Sequence, residues 1–179
     1  MRVLTLCGSL RARSSNREIL TAFEKLAPVE AQVEHYAGLG LLPHFNPDLD
    51  GESVPEPVAA LRLAIAAADV IVVSTPEYAH GLPGAFKNLL DWLVSDPAFA
   101  GKRVVILHAA RGSVWALDSL KEILRTMSAE ILQDASVLLP LGTNQIDANG
   151  IVTRDDLRAL LAESWSRLEA HLGGSVDAP

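Results

Sequence analysis

The sequence has one cysteine, few basic residues and no long apolar run, and each shortage excludes a class of protein. Cys7 cannot form a disulfide within the chain and supplies no thiolate cluster for a metal. Acidic residues outnumber basic ones by 22 to 15, and a formal charge of −7 is the wrong sign for binding nucleic-acid phosphates. No apolar segment approaches the ~20 residues of a membrane span. We therefore expect a cytoplasmic protein with no nucleic-acid and no membrane partner.

The 179 residues are 49% hydrophobic, which suits one well-buried core, and we expect a single domain over residues 1–179. Short apolar runs alternate with segments whose apolar residues recur at helical spacing. The predicted strands are residues 3–7, 32–36, 70–73, 103–107 and a weaker one within 131–139. The predicted helices are residues 19–26, 61–68, 85–94, 117–127 and 155–172.

Strands that are apolar on both faces and alternate with helices indicate a parallel sheet covered on both sides. The pattern predicts the α/β class, as a flavodoxin-like three-layer sandwich with a five-stranded parallel sheet in the order 2-1-3-4-5. Such sheets bind ligands where the winding direction reverses, beyond the carboxyl ends of strands 1, 3 and 4. The loops to inspect are residues 8–16, 76–84 and 108–113.

The first of these loops reads Gly-Ser-Leu-Arg-Ala-Arg-Ser-Ser-Asn and offers three hydroxyls, one amide and two guanidiniums at a helix start. The free N–H groups and the positive dipole end of a helix favour an anion there, and Arg11 can add a charge-assisted hydrogen bond. The loop therefore predicts a phosphate site. The plainer alternative is that Ser15 or Asn16 only caps the helix.

The same loop also satisfies C-x5-R-[ST], through Cys7, Arg13 and Ser14. This short pattern resembles the signature of low-molecular-weight tyrosine phosphatases and arsenate reductases, in which a thiolate attacks phosphorus. Asp96, which precedes a proline, would then be the general acid. A phosphatase-like enzyme is therefore one alternative function, although Cys7 also suits a buried strand end.

The second loop is the most informative segment. The chain carries G-S-L-R-x-x-S-x-N over residues 8–16 and P-E-Y-x-x-G-x-P-G-x-x-K-N-x-x-D-W over residues 76–92. Together these motifs closely resemble the NADPH-dependent FMN reductase family, which includes quinone, chromate and azo-dye reductases. The resemblance covers about the first two thirds of the chain. It implies an FMN-dependent oxidoreductase that passes hydride from NADPH or NADH through FMN to a quinone-like or other small electron acceptor.

The resemblance also implies which residues hold the cofactor, while no side chain need act as a nucleophile or base. The FMN phosphate would be bound by Ser9, Arg11, Ser14, Ser15 and Asn16. The isoalloxazine ring would lie along Pro76, Glu77, Tyr78, Ala79, His80 and Gly81, and its other edge would approach the loop that carries Arg111 and Gly112. Arg111 would meet the NADPH phosphates or be merely exposed. The commonest form of the family has Asn after the tyrosine, where this chain has Ala79. The change puts the His80 imidazole nearby, where it would contact the substrate or the partner subunit, or would simply be solvated.

Three further expectations concern the surroundings of this site. The resemblance implies a homodimer or homotetramer in which the helix after residue 84 packs on a second subunit and buries Trp92 between the chains. Residues 40–57 are expected to overhang the cofactor. Asp48 and Asp50 lack the ligand spacing of a calcium loop, so no metal is expected. A flavodoxin-type electron carrier that never meets a nicotinamide is the remaining alternative function.

Overall fold

A parallel β-sheet organises the chain, in a computed structural model that describes residues 1–51, 53–109, 114–142 and 145–173. The strands are β1 (Arg2–Cys7), β2 (Gln32–His35), β3 (Val70–Ser74), β4 (Arg103–Ala109), β5 (Glu130–Ile131) and β6 (Val137–Leu139). The helices are α1 (Ser15–Lys25), α2 (Glu56–Ala67), α3 (Gly84–Asp91), α4 (Trp115–Thr126), α5 (Ala148–Thr153) and α6 (Asp155–Gly173). The strand order β2-β1-β3-β4-β5 confirms the predicted topology, and all pairs are parallel.

Successive residues of the central strands point to opposite faces of the sheet and so build two cores. Val70 and Val72 pack with α1, α5 and α6, whereas Ile71 and Val73 pack with α2, α3 and α4. Trp165 of α6 stacks on Phe23 with ring centroids 4.1 Å apart. The result is the predicted three-layer sandwich.

The weak fifth strand predicted within residues 131–139 is divided into two short pieces. β5 pairs with the start of β4 and β6 with its end. Between them, the Ser136 hydroxyl accepts a hydrogen bond from the Ile106 N–H (3.0 Å) and donates one to the Leu132 carbonyl (2.8 Å). A side chain thus satisfies the backbone of β4 where the ladder is interrupted.

Residues 147–150 begin the short helix α5, which is not among the helices predicted from the sequence. Asp147 is the N-cap, and its Oδ1 accepts a hydrogen bond from the Gly150 N–H at 2.7 Å. Glu18 of α1 accepts from the Ala148 N–H at 2.9 Å. These two carboxylates stabilise a short helix that has too few apolar residues to show a period.

The segment after β2 was expected to overhang the site, but its middle is fastened along α3 instead. The Pro43 carbonyl accepts hydrogen bonds from Asn88 Nδ2 (2.9 Å) and from Trp92 Nε1 (2.8 Å). The expectation that Trp92 is buried between two chains is therefore wrong, because its side chain is fully buried within its own chain.

The end of this segment is held by Asp50. Its carboxylate accepts hydrogen bonds from the Ser95 hydroxyl (2.6 Å) and from Arg62 Nη2 (2.8 Å). The Ser95 hydrogen bond and the Arg62 guanidinium hold the pKa of Asp50 below its usual value. Across the described ranges, no group of three or more His, Cys, Asp and Glu residues is placed to hold a metal. None of the helices described here is both long and apolar enough to cross a bilayer.

Candidate functional site

The ends of β1, β3 and β4 lie together at one edge of the sheet, as parallel strands require. Cys7 is in register with Ser74, and the Gly8 N–H donates to the Ser74 carbonyl at 2.9 Å. A cavity of about 280 Å³ opens at this edge. Its lining consists of Ser9, Arg11, Ser14, Ser15, Asn16, Thr75, Pro76, Glu77, Tyr78, His108 and Ala109.

The cavity brings together residues from both of the predicted motif loops. The predicted site residues in its lining are Ser9, Arg11, Ser14, Ser15, Asn16, Pro76, Glu77 and Tyr78. Ala79, His80 and Gly81 complete a turn that begins at Tyr78, outside the lining itself. Arg111 and Gly112 lie outside the described residues. His108 and Ala109 belong to the third predicted loop, residues 108–113, whereas Thr75 was not predicted, although it directly follows β3, where position alone would have pointed to it.

Ser14 occupies the N-cap of α1, so the alternative that Ser15 or Asn16 is the cap is wrong. Its backbone is extended, as an N-cap requires, yet its hydroxyl makes no hydrogen bond to the helix N–H groups. The Ser14 side chain is only 5% exposed and lines the cavity. A buried hydroxyl that does not cap its helix remains available to a ligand at the positive end of α1.

Two further polar side chains of the first loop, those of Asn16 and Ser9, are also buried and oriented. Asn16 Oδ1 accepts a hydrogen bond from the Ser74 hydroxyl at 3.0 Å, which leaves the Asn16 amide hydrogens as donors. The hydroxyl of buried Ser9 accepts from the Arg11 N–H at 3.3 Å. Burial of so many donors is costly without partners. The loop therefore suits a ligand with several hydrogen-bond acceptors.

Two exposed guanidiniums flank this donor-rich loop. Neither Arg11 nor Arg13 forms an ion pair within the ranges described, although the chain as a whole is acidic. Arg11 lines the cavity itself, and Arg13 lines a neighbouring depression with Ser14, Ser15 and Glu18. Positive charge next to helix N–H groups is the arrangement that binds a phosphate monoester.

The second loop contains a tight turn with strained backbone. The Tyr78 N–H donates to the Gly81 carbonyl and the Gly81 N–H to the Tyr78 carbonyl, both at 3.0 Å. Ala79 and His80 between them have φ angles of +50° and +59°. These features define a type I′ turn, whose two central positions favour Gly, Asn or Asp. Left-handed backbone costs about 1–2 kcal/mol at a residue with a Cβ.

The turn leaves two backbone donors at the site unused. Its own hydrogen bonds occupy the N–H groups of Tyr78 and Gly81. Within the part of the chain that the structure describes, the N–H groups of Ala79 and His80 donate to no acceptor. Two adjacent free donors next to the cavity suit the carbonyl oxygens and ring nitrogens of a planar ligand.

We expect Ala79→Gly to stabilise the protein by about 0.5–1 kcal/mol, because glycine adopts a positive φ without strain. The matched control is Ala60→Gly on the exposed side of α2, where the same replacement should destabilise by about 1 kcal/mol. Urea unfolding of both variants measures the two free energies. Equal destabilisation by both variants would contradict a strained turn at Ala79.

Glu77 links the second loop to α4. Its Oε2 accepts a hydrogen bond from the Ala116 N–H at 3.0 Å. Val114 is the N-cap of α4, and its apolar side chain makes no capping hydrogen bond. The Glu77 carboxylate from another loop therefore takes that role. Glu77 therefore both lines the cavity and fixes the start of α4 relative to it.

The phosphatase alternative requires Cys7, Arg13 and Asp96 to meet, and the structure separates them. Cys7 lines a second cavity, together with Leu20 of α1 and with Tyr36, which follows β2. Asp96 follows α3, which leads from the end of β3 back toward the start of β4. Asp96 thus lies at the opposite edge of the sheet from Cys7 and cannot serve as the general acid for that thiol.

Comparison with known proteins agrees with this geometry. The family model described as NADPH-dependent FMN reductase matches residues 1–144. A 2-hydroxy-1,4-benzoquinone reductase of a Burkholderia species is 29% identical over 168 residues, which cover 90% of this chain and 90% of that protein. A quinone reductase of Escherichia coli K12 is 31% identical over 153 residues, covering 82% of this chain and 81% of that protein.

A solved structure extends the likeness to three dimensions. The flavoenzyme NAD(P)H:(acceptor) oxidoreductase FerB of Paracoccus denitrificans matches with a TM-score of 0.80 and 26% identity. The match covers 95% of this chain and 98% of FerB. These proteins are all reductases or oxidoreductases, so neither the phosphatase nor the electron-carrier alternative finds support.

Proposed function

Since the chain belongs to the NADPH-dependent FMN reductase family, and is therefore an oxidoreductase that uses FMN and NAD(P)H, we propose that its electron acceptor is a quinone. Two relatives that align with four fifths or more of the chain are reductases of a benzoquinone and of quinones. A quinone is small and planar, and it needs access only to the open face of a bound flavin.

The observation that carries the proposed function, through its FMN site, is the buried hydroxyl of Ser14 at the N-terminus of α1. It faces the cavity without capping its helix, and so fits a phosphate. We propose that Ser9, Arg11, Ser14, Ser15 and Asn16 bind the FMN phosphate. Their hydroxyl, amide and guanidinium donors, together with the helix N-terminus, match the oxygens and the charge of a monoester.

The second loop would then support the isoalloxazine ring, with Pro76, Glu77, Tyr78, Ala79, His80 and Gly81 along it. When bound, the flavin accepts hydride from NAD(P)H and delivers electrons to the acceptor. The free N–H groups of Ala79 and His80 would donate to the pyrimidine oxygens and stabilise negative charge on that end of the ring. Glu77 would keep this loop fixed through its hydrogen bond to α4.

The proposal assigns the remaining features as follows. Arg111 and Gly112 would flank the other edge of the ring, and no side chain serves as nucleophile or general base. Residues 1–179 would form one domain of a cytoplasmic enzyme.

We also propose a homodimer or homotetramer whose contact uses α3, now through its exposed residues rather than through Trp92. Lys87 of α3, which pairs with Asp91, is exposed and available for such a contact.

A spectroscopic experiment tests the proposal in three steps. The apoprotein should bind FMN in a titration followed by flavin fluorescence. Anaerobic NADPH or NADH should bleach the visible absorbance of the bound flavin, and addition of a benzoquinone should restore it. Absence of FMN binding would refute the assigned phosphate site. Bleaching without recovery on quinone addition would refute the proposed acceptor.

A further inference from the structure

The chain has three tryptophans, and one of them is exposed beside the site. Trp92 and Trp165 are 0% and 2% exposed, whereas Trp115 at the start of α4 is 61% exposed. Val114 and Tyr78 are also about half exposed. An isolated exposed apolar residue needs no explanation, but a group of them next to a cavity indicates a binding surface.

Trp115 is held against the loop that borders the cavity. Its ring stacks on that of His80 with a centroid separation of 5.7 Å and an interplanar angle of 28°. The hydrogen bond from the Ala116 N–H to Glu77 fixes the next residue of α4 to the cavity wall. The strained turn at His80 sets the position of the imidazole. Two independent connections therefore place the indole beside the turn that borders the cavity.

The exposed indole has the chemistry to bind a planar, electron-poor ring. Aromatic rings prefer offset stacking, which is worth up to about tenfold in affinity. The Trp115 Nε1–H donates to no acceptor within the described ranges, so it can also donate to a carbonyl oxygen. A quinone presents both features, a flat electron-poor ring and carbonyl oxygens at its edge.

We propose that Trp115 and His80 form an aromatic platform that binds the quinone ring at the mouth of the cavity, so that Trp115 determines specificity for planar acceptors. This inference rests on the proposed quinone function. It predicts discrimination between acceptors with a planar ring and acceptors without one, because ferricyanide has no flat ring to stack. The platform contributes binding only, and the chemical step proceeds without it.

Steady-state kinetics of the FMN-loaded enzyme test the platform with Trp115→Ala and Trp115→Phe. Trp115→Ala should raise KM for a naphthoquinone about three- to tenfold with kcat unchanged, and Trp115→Phe should restore most of the loss. Both variants should reduce ferricyanide like the parent. Leu63→Ala is the matched control, because Leu63 is a 72% exposed residue of α2, away from the cavity.

Intrinsic fluorescence gives a second measurement that needs no turnover, because Trp115 is the exposed tryptophan. Titration of the oxidised holoenzyme with the naphthoquinone, without NAD(P)H, should give saturable quenching in the parent. In Trp115→Phe the quenching should become linear in quinone concentration. Saturable quenching that survives in Trp115→Phe would overturn the platform.

The outcomes separate this inference from the function on which it rests. Quinone reduction with an unchanged KM in Trp115→Ala overturns the platform and leaves the proposed function intact. Failure of the parent to reduce quinones refutes the proposed acceptor. The quenching titration alone then shows whether Trp115 binds the quinone ring. A change of oligomeric state of Trp115→Ala in gel filtration would assign the indole to a contact between two copies of the chain and overturn the platform.

Discussion

Replacement of Gly8 by alanine is expected to destabilise the protein by about 3 kcal/mol or more and to abolish FMN binding. A Cβ at this position would stand 2.1 Å from Thr75 Oγ1 and 2.6 Å from Thr75 Cβ. The hydroxyl could rotate away, but the Cβ and the backbone Cα at 3.1 Å could not. The ends of β1 and β3 would have to separate, although the Gly8 N–H bonds to Ser74 there.

Thermal unfolding of the apoprotein measures the loss, which corresponds to a fall in Tm of about 6–12 °C. Gly84→Ala at the start of α3 is the control, because nothing lies within 4 Å of its ideal Cβ. That variant should keep or slightly raise the stability. If Gly8→Ala unfolds at the parental temperature and binds FMN as tightly, the close approach of β1 and β3 does not constrain this site.

The sheet was predictable because its central strands carry runs of β-branched and aliphatic residues. The run Val-Ile-Val-Val of β3 is apolar on both faces, which requires helices on both sides of the sheet. Right-handed crossovers then leave few arrangements of five such strands. Both motif loops consequently fall at the same edge, since the carboxyl ends of adjacent parallel strands coincide.

The parts that the sequence did not reveal depend on single side-chain hydrogen bonds between distant residues. The split of the fifth strand depends on the Ser136 hydroxyl, and α5 depends on Asp147 and Glu18. The indole N–H of buried Trp92 is paired by one carbonyl, that of Pro43. Such contacts have no period along the chain, so patterns of apolar residues cannot predict them.

The sequence predicted most residues that line the cavity, but not the local backbone roles of those residues. The polar loop before α1 predicted a phosphate site, but only the backbone shows that Ser14 occupies the N-cap without using its hydroxyl as a cap. The strain at Ala79 and His80 likewise has no sequence signal, because neither residue is typical of a type I′ turn. Local propensity therefore fails at the candidate site, and backbone strain is commonly found at functional sites.

Replacement of Ser14 by aspartate is expected to change protein stability and cofactor affinity in opposite directions. Aspartate is a good N-cap, and its charge interacts favourably with the positive end of α1, so the apoprotein should be as stable as the parent or up to about 1 kcal/mol more stable. The same carboxylate would face the FMN phosphate in a buried position. Repulsion between two anions at close range should weaken FMN binding by at least about a hundredfold.

Ser14→Ala separates the loss of a donor from the addition of a charge. It should leave the apoprotein stability unchanged, because the hydroxyl makes no cap hydrogen bond, and should weaken FMN binding about tenfold. Ser166→Asp on the exposed face of α6 adds the same charge far from the site and should alter neither quantity. FMN titration and thermal unfolding of the three apoproteins measure both effects. Tight FMN binding by Ser14→Asp would place the phosphate elsewhere, because a buried carboxylate and a phosphate cannot share one helix N-terminus without repulsion.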